Sequence, residues 1–342
     1  MLRPVTPPSA VLAAYGWTSA TSVPITVGLI NQTFRIEEGG RPLAILQRLH
    51  PIFAAEVNED LDAITAELAR RGMRTPRLVR TRAGEASVAH EGVWRAITFV
   101  PGRTLTEVPG PAIAHAAGAL AGRFHAALDG FEHTFRFTRA GVHDTPAHLA
   151  ALERALAEHA AHPEIGLVRP LAEAILAHAR ALPPLPTEGR RIVHGDLKIT
   201  NLLFHPERDE GAAVVDLDTL AHGTLAIELG DALRSWCNPS GESREGGIDV
   251  ALFAAALAGF RAGGGPLSAE DRGAIPLGVE TISAELAARF CRDALEDRYF
   301  GWDPARFPDR RAHCRARAGS QLALARSVRQ RRAELERAAR DA

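Results

Sequence analysis

Short β-prone stretches separated by turn residues make up most of the first hundred residues of the chain. Residues 25–50 contain two such stretches on either side of Gly39-Gly40, a dipeptide that favours a tight hairpin turn. Three further stretches, also separated by glycine-containing turns, cover residues 76–81, 86–92 and 93–100. The pattern predicts a β-rich N-terminal part.

A helical pattern interrupts these strands once and then dominates the rest of the chain. Val57, Leu61, Ile64 and Leu68 recur at helical spacing and are followed by Gly72, which predicts one helix after the hairpin. From about residue 109 the apolar positions again follow a helical period, except near residues 192–218, which look like strand and loop.

Together these patterns predict an α+β fold with two lobes. Because the 342 residues exceed the roughly 150 expected of one domain, we expect two parts with a cleft between them. The boundary is expected at Pro101-Gly102, with a β-rich N-terminal lobe over residues 1–101 and a mostly helical C-terminal lobe over residues 102–342.

The balance of charge and the cysteine content exclude several kinds of partner. Lys plus Arg total 40 and Asp plus Glu total 41, so a net charge of −1 creates no field that would attract nucleic acid or an anionic membrane. The longest apolar run, residues 250–260, is shorter than the roughly 18 residues that span a bilayer and predicts a buried helix. The three cysteines lack C-x-x-C spacing, which argues against disulfides and zinc and favours a cytoplasmic location. The sequence does not indicate the oligomeric state.

The residues most informative about chemistry lie in VHGDLKITNLLF (193–204) and VVDLD (214–218). Asp196 and Asn201 are five residues apart in a predicted loop, and Asp216 follows after a predicted hairpin that would bring all three together. A carboxylate beside a substrate hydroxyl, with an amide and a second carboxylate as oxygen ligands, is what magnesium-assisted phosphoryl transfer requires. A lone H-G-D often only caps a turn, but the joint spacing favours a kinase.

These motifs resemble one known family of enzymes. Residues 194–198 with Asn201, residues 215–218 and residues 228–231 are similar to the aminoglycoside phosphotransferase and choline kinase-like family, whose fold is that of the protein kinases. Within that family, the N-acetylhexosamine 1-kinases are the most similar, through residues 28–36, 45–53, 216–219, 230–234, 276–290 and 298–300. The resemblance covers nearly the whole chain.

The resemblance implies a role for each motif residue. Asp196 would be the catalytic base that accepts the proton of the acceptor hydroxyl, while Asn201 and Asp216 would hold Mg²⁺. From its position two residues beyond the base, Lys198 could meet the γ-phosphate of ATP, with an ordinary surface lysine as the alternative. Asp218 is interpreted as a strand residue on the same face as Asp216, where it would be a second metal ligand or would bind the acceptor.

The same resemblance extends to residues outside the catalytic loop. In the C-terminal part it implies that Arg289 and Tyr299 line the acceptor pocket, although the i,i+4 pair of Glu285 and Arg289 is also typical of a surface ion pair. Glu228 stands where the family usually has an aspartate that supports the catalytic loop, and its longer side chain could still do so.

The nucleotide-binding side departs from the usual kinase pattern. The lysine normally found on the third strand is missing, and residues 43–49 offer only Gln47 and Arg48, of which one can face the nucleotide. Arg48 could bind the phosphates, with Glu59 on the following helix as its ion-pair partner. An exposed Arg-Glu pair of little energy is the alternative, and the sequence leaves open whether Arg48 or Gln47 replaces the lysine.

Two further segments are expected to hold the nucleotide. Gly28 is the single glycine of its loop, so phosphate binding would depend on Asn31, Gln32 and Thr33. By analogy with kinases, the backbone of Phe99 and Val100 would meet the adenine.

The acceptor is the least determined part of the prediction. The resemblance implies an ATP- and Mg²⁺-dependent kinase that phosphorylates a small molecule, an amino sugar, at the anomeric hydroxyl of an N-acetylhexosamine. Aminoglycosides, choline, homoserine and other sugars are alternatives within the same chemistry. Choline would need an aromatic cage, for which four Trp and two Tyr offer little material. A catalytically silent nucleotide-binding protein is a further alternative, suggested by the missing lysine and the single glycine.

Overall fold

The computed structural model describes residues 6–25 and 30–342, which form an antiparallel sheet followed by a mostly helical remainder. The sheet contains β1 (Thr21–Ile25), β2 (Gln32–Glu38), β3 (Arg41–Arg48), β4 (Leu78–Val79), β5 (Val88–Ala89) and β6 (Val93–Thr98). Its strand order is β1-β2-β3-β6-β4, with β5 also paired to β6. The predicted hairpin is confirmed, since Gly39 and Gly40 join β2 to β3 with φ of 57° and 74°.

The helices lie before, between and after the strands of this sheet, and they bury one or more apolar faces. They are α1 (Ser9–Tyr15), α2 (Val57–Arg70), α3 (Pro111–Leu128), α4 (Thr145–Glu158), α5 (Ile165–Arg180), α6 (Leu225–Trp236), α7 (Val250–Ala262), α8 (Ala269–Glu296), α9 (Arg310–Gln330) and α10 (Arg332–Asp341). The predicted helix over Val57–Leu68 is α2, and the apolar run 250–260 is the buried helix α7. In the described residues no helix is both long and apolar enough to cross a bilayer.

Two short sheets lie among these helices. They consist of β7 (Arg103–Thr104) with β9 (Leu202–Phe204) and β10 (Gly211–Val214), and of β8 (Arg191–Val193) with β11 (Ala221–Gly223). β8 and β10 belong to different sheets, but the loops that follow them are in contact, since His194 Nε2 lies 2.9 Å from the backbone oxygen of Val215. These two loops carry the predicted catalytic residues.

The first sheet has different surroundings on its two faces. On one face Phe34, Ile36, Leu46 and Trp94 form an apolar cluster with residues of α1. The opposite face carries Gln47 and Arg95, which are direct cross-strand neighbours. Alternate strand residues point to opposite faces, and Arg95 contacts Asp218, so this polar pair lies on the face directed toward the loop after β10.

Candidate active site

The predicted catalytic loop, residues 194–201, is supported by one buried carboxylate. Glu228 on α6 is 1% exposed, and its two oxygens accept the backbone N–H groups of His194 at 2.8 Å and Gly195 at 3.0 Å. Burial would raise the pKa of Glu228, but His125, His194 and the loop N–H of Gly195 lower it, so the side chain stays ionised. The predicted support of the loop by Glu228 is thus present in the structure.

Gly195 cannot be replaced without moving this loop. Its φ is 76°, in the left-handed region, and a Cβ at this position would lie 2.6 Å from the carbonyl oxygen of Thr219. The glycine therefore allows the loop to pack against the segment that follows Asp216.

Asp196 emerges from the loop beside the chain's only lysine. Lys198 Nζ lies 2.5 Å from Asp196 Oδ2, and Asn201 Nδ2 donates to the backbone oxygen of Asp196 at 2.8 Å. Burial would raise the pKa of Asp196, but the Lys198 ammonium outweighs it and lowers this pKa to about 2. The carboxylate is therefore ionised at neutral pH and can accept a hydrogen bond from a hydroxyl.

Asn201 and Asp216 are brought together as the predicted hairpin requires. The N–H of Val215 donates to the carbonyl oxygen of Asn201 at 2.9 Å, so Asp216 follows directly beside this asparagine. Asp216 has φ 64° and ψ 57°, a left-handed conformation that aspartate tolerates better than most residues. Burial and then the neighbouring Asp218 raise the pKa of Asp216.

The donor set fits a hard divalent cation. The Asn201 side chain directs its amide nitrogen toward Asp196, so its amide oxygen points away from that residue. The carboxylates of Asp196, Asp216 and Asp218 repel one another. Within the described residues no three His, Cys, Asp or Glu side chains form a metal cage. Mg²⁺ is commonly held by one or two protein oxygens together with nucleotide phosphates, and Asn201 and Asp216 offer oxygens of that kind.

Asp218 does not lie on a strand as predicted. Strand β10 ends at Val214, and residues 217–219 form a 3-10 turn that directs Asp218 into the interior, where it is 2% exposed. Its carboxylate forms a bidentate ion pair with Arg95, at 2.5 and 2.8 Å, and accepts Asn31 Nδ2 at 2.7 Å. The structure thus places Asp218 in contact with the first sheet, not on a face shared with Asp216.

Arg95 is the residue that the sequence analysis missed. It is 1% exposed on β6, and its guanidinium also donates to Gln47 Oε1 at 2.9 and 2.7 Å. The available signal was one arginine within the apolar run 93–100, since a buried arginine requires a partner. This arginine provides the cation on the face of the sheet where a strand lysine was expected.

Arg48 and Glu59 do not form the predicted ion pair. Arg48 donates to the backbone oxygen of Glu91 and lies 6.0 Å from the centre of the Trp94 ring, on the α1 face of the sheet. Glu59 is exposed on α2 and has Arg136 at 3.5 Å. Of the two candidates for the missing lysine, Gln47 lies on the face of the sheet that carries Arg95, and Arg48 lies on the opposite face.

The other predicted nucleotide-binding residues border the same region. Thr33 Oγ1 accepts Gln47 Nε2 at 3.3 Å, and Asn31 Oδ1 accepts the N–H of His50 at 2.9 Å. Phe99 and Val100 are half-buried and connect β6 to β7. Gly28 lies outside the described residues.

The register of β3 leads to a testable difference between its last two residues. We expect Gln47→Ala to raise the KM for ATP about fivefold, because Arg95 loses an acceptor worth about 1 kcal/mol and with it part of its orientation. Arg48→Ala serves as the control and should change this KM less than about twofold. The KM for ATP of both variants is measured by steady-state kinetics at saturating acceptor. A larger increase of this KM in Arg48→Ala than in Gln47→Ala would contradict the register.

The predicted acceptor residues lie in a second cluster, on α8 and the turn that follows this helix. Arg289 on α8 is 3.9 Å from Glu285 and stacks near the rings of Tyr299 and Phe300, at 5.9 and 5.7 Å. The turn that carries these rings is fixed by Asp293, which accepts the N–H of Tyr299 at 2.8 Å. Arg289 and Tyr299 are therefore neighbours, as an acceptor wall would require.

The architecture and the loop motifs together define a phosphotransferase with a protein-kinase-like fold. The phosphotransferase enzyme family matches residues 21–307, which is most of the chain, and the chain belongs to this family.

Solved structures share this fold at low sequence identity. An aminopropanol kinase associated with a microcompartment superposes with a TM-score of 0.65 at 18% identity, over 96% of this chain and 98% of that one. An amicoumacin kinase in complex with AMP-PNP and Ca²⁺ gives 0.62 at 15% identity, over 92% and 91%. An aminoglycoside phosphotransferase from Alicyclobacillus acidocaldarius gives 0.58 at 16% identity, over 96% of both chains.

Proposed function

We propose that this phosphotransferase transfers the γ-phosphate of ATP to the anomeric hydroxyl of an N-acetylhexosamine. Two observations support the chemistry and the acceptor separately. The arrangement of Asp196, Lys198, Asn201 and Asp216 supports phosphoryl transfer to a hydroxyl. The charge around the acceptor side supports a neutral sugar.

The nucleotide would lie between the lobe of residues 1–101 and the lobe of residues 102–342. Its phosphates would approach Asn31 and Thr33, with Arg95 as the fixed cation behind them and Phe99 and Val100 beside the adenine. Asn201 and Asp216 would hold Mg²⁺. Mg²⁺, when bound, neutralises charge on the phosphate oxygens.

The catalytic residues act mainly by orientation. Ionised Asp196 accepts the hydrogen bond of the acceptor hydroxyl and takes its proton as the bond to phosphorus forms. A carboxylate with a pKa of about 2 is a weak base, which suits a loose transition state in which the hydroxyl loses its proton late. Lys198 meets the γ-phosphate oxygens from the same loop.

The acceptor side offers little attraction for a cationic substrate. Its buried carboxylate Glu285 is already opposed by His143, at 3.4 Å, and by Arg289, and it accepts Thr145 Oγ1 at 2.6 Å. The aromatic rings of Tyr299 and Phe300 face the guanidinium of Arg289, so a quaternary ammonium would meet a like charge there. A neutral acceptor with hydroxyl and acetamido oxygens suits these donors better than choline or an aminoglycoside.

An acceptor screen tests the proposal. ADP release from MgATP is measured with N-acetylglucosamine, N-acetylgalactosamine, neutral hexoses, homoserine, choline and an aminoglycoside. We expect the two N-acetylhexosamines to give the highest kcat/KM, because a site with buried polar groups rejects acceptors that leave those groups unpaired. A preference for choline or an aminoglycoside would refute the sugar assignment, and no ADP release with any acceptor would favour a silent protein.

A further inference from the structure

A histidine in an unusual backbone conformation touches the catalytic loop from the acceptor side. His143 lies between α3 and α4 with φ 54°, in the left-handed region, and its side chain is 10% exposed. A non-glycine residue persists in this conformation where surrounding contacts hold it there, and such residues concentrate at functional sites.

The two ring nitrogens of His143 have different partners. Nε2 lies 3.1 Å from the carbonyl oxygen of Gly195, which belongs to the peptide bond that leads into Asp196. Nδ1 lies 3.4 Å from Glu285 Oε1, and Glu285 is 1% exposed on α8. The carbonyl oxygen of Gly195 can accept a hydrogen bond from Nε2–H, and the Glu285 carboxylate faces Nδ1 as an ion-pair partner. Only the protonated imidazolium suits both neighbours.

The charged groups around His143 favour that protonated form. Burial would lower the pKa of His143, but Glu285 outweighs it and raises this pKa to about 9. Asp231 on α6 acts in the same direction, while Arg289 on α8 opposes it. His148 on α4 lies 3.9 Å from the same carboxylate but has a lowered pKa.

We propose that His143 is a positioning residue that fixes the peptide bond before Asp196 and so orients the catalytic carboxylate toward the acceptor. Glu228 on α6 accepts the N–H groups of His194 and Gly195. His143 binds the C=O of Gly195 from the acceptor side. Glu228 and His143 thus bind the same loop through different backbone groups, the first through N–H and the second through C=O. This inference rests on the proposed role of Asp196 as the base.

His143→Asn tests this role, because asparagine tolerates the left-handed backbone but is too short to replace both ring contacts. His148→Asn removes a neighbouring imidazole near the same carboxylate and is the matched control. ADP release is followed from about pH 7 to 10, with N-acetylglucosamine and also without added acceptor, where water takes the place of the hydroxyl. Calorimetry measures MgADP affinity in each variant.

We expect His143→Asn to lower kcat about ten- to a hundredfold, the loss of one charge-assisted hydrogen bond, with MgADP affinity within about twofold of wild type. Because the imidazolium is the donating form, wild-type kcat should fall as the pH rises through about 9, and the variant should lack this alkaline limb. His148→Asn should retain both the rate and the limb.

Two results would overturn the proposal. One is a His143→Asn enzyme with wild-type kcat or an unchanged alkaline limb. The other is a wild-type profile that stays flat over this pH range, which decides the question even if the variant does not fold. Failure of the sugar as acceptor counts only against the proposed function, because the reaction with water still reports on Asp196.

Discussion

Asp196→Asn is expected to lower kcat by about 10² to 10⁴, the usual contribution of a positioned general base. The amide cannot take the proton of the acceptor hydroxyl, and the negative charge that faces Lys198 at 2.5 Å is lost. Affinity for MgATP should change little, because Asp196 acts on the acceptor and not on the nucleotide. The measurements are single-turnover phosphate transfer and calorimetric titration with MgATP.

The control for this variant is Asp209→Asn, which makes the same chemical change on a carboxylate that is 60% exposed and paired with Arg103. We expect it to leave kcat unchanged. If Asp196→Asn retained kcat within about threefold of wild type, Asp196 would not be the base.

Arg95→Met is expected to cost about 3–5 kcal/mol of the free energy of unfolding. The substitution leaves the Asp218 carboxylate, 1% exposed, without its cation in the interior between the sheet and the loop after β10. A charge that remains buried and unpaired is far more costly than the loss of an exposed pair. Urea denaturation of the purified variant measures the change.

Two comparisons separate this ion pair from general effects of losing an arginine. Arg35→Met removes an arginine that is 39% exposed and paired with Glu37, and should cost less than about 1 kcal/mol. The double variant Arg95→Met, Asp218→Leu removes both charges and should recover much of the lost stability. If the single and double variants were equally unstable, the buried charge would not be the cause.

The sequence predicts the closeness of Asp196, Asn201 and Asp216 because the geometry that joins them is local. Asp196 and Asn201 are five residues apart, and the hairpin formed by β9 and β10 returns the chain to Asn201, so their spacing constrains their positions. Glu228 lies on the next helix, α6, and belongs to the recognisable motif of residues 228–231. These positions can be predicted without knowing which distant parts of the chain are in contact.

The register of β3 was not predictable in the same way. Both faces of this strand are covered, one by α1 and the other by contacts toward Asp218, so apolar and polar residues do not alternate clearly along it. A shift of one residue exchanges Gln47 for Arg48. The preference for Arg48 rests on its charge, whereas the structure places Gln47 on the face that carries Arg95.

Asp218 and His143 illustrate contacts that depend on the folded chain. Asp218 was interpreted as a strand residue, but the left-handed conformation of Asp216 and the turn that follows redirect it toward Arg95. His143 lies in a loop without periodic pattern and meets Gly195, 52 positions later in the chain, and Glu285 on α8. No local signal distinguishes it from a surface histidine.

Phosphorus NMR of the reaction product tests the central claim most directly. Wild-type enzyme is incubated with MgATP and N-acetylglucosamine, and the phosphorus spectrum is recorded with proton coupling. The account predicts one new phosphate monoester per ADP, with its resonance split by the anomeric proton of the sugar. ADP accompanied only by inorganic phosphate, or a phosphate on another hydroxyl, would contradict it.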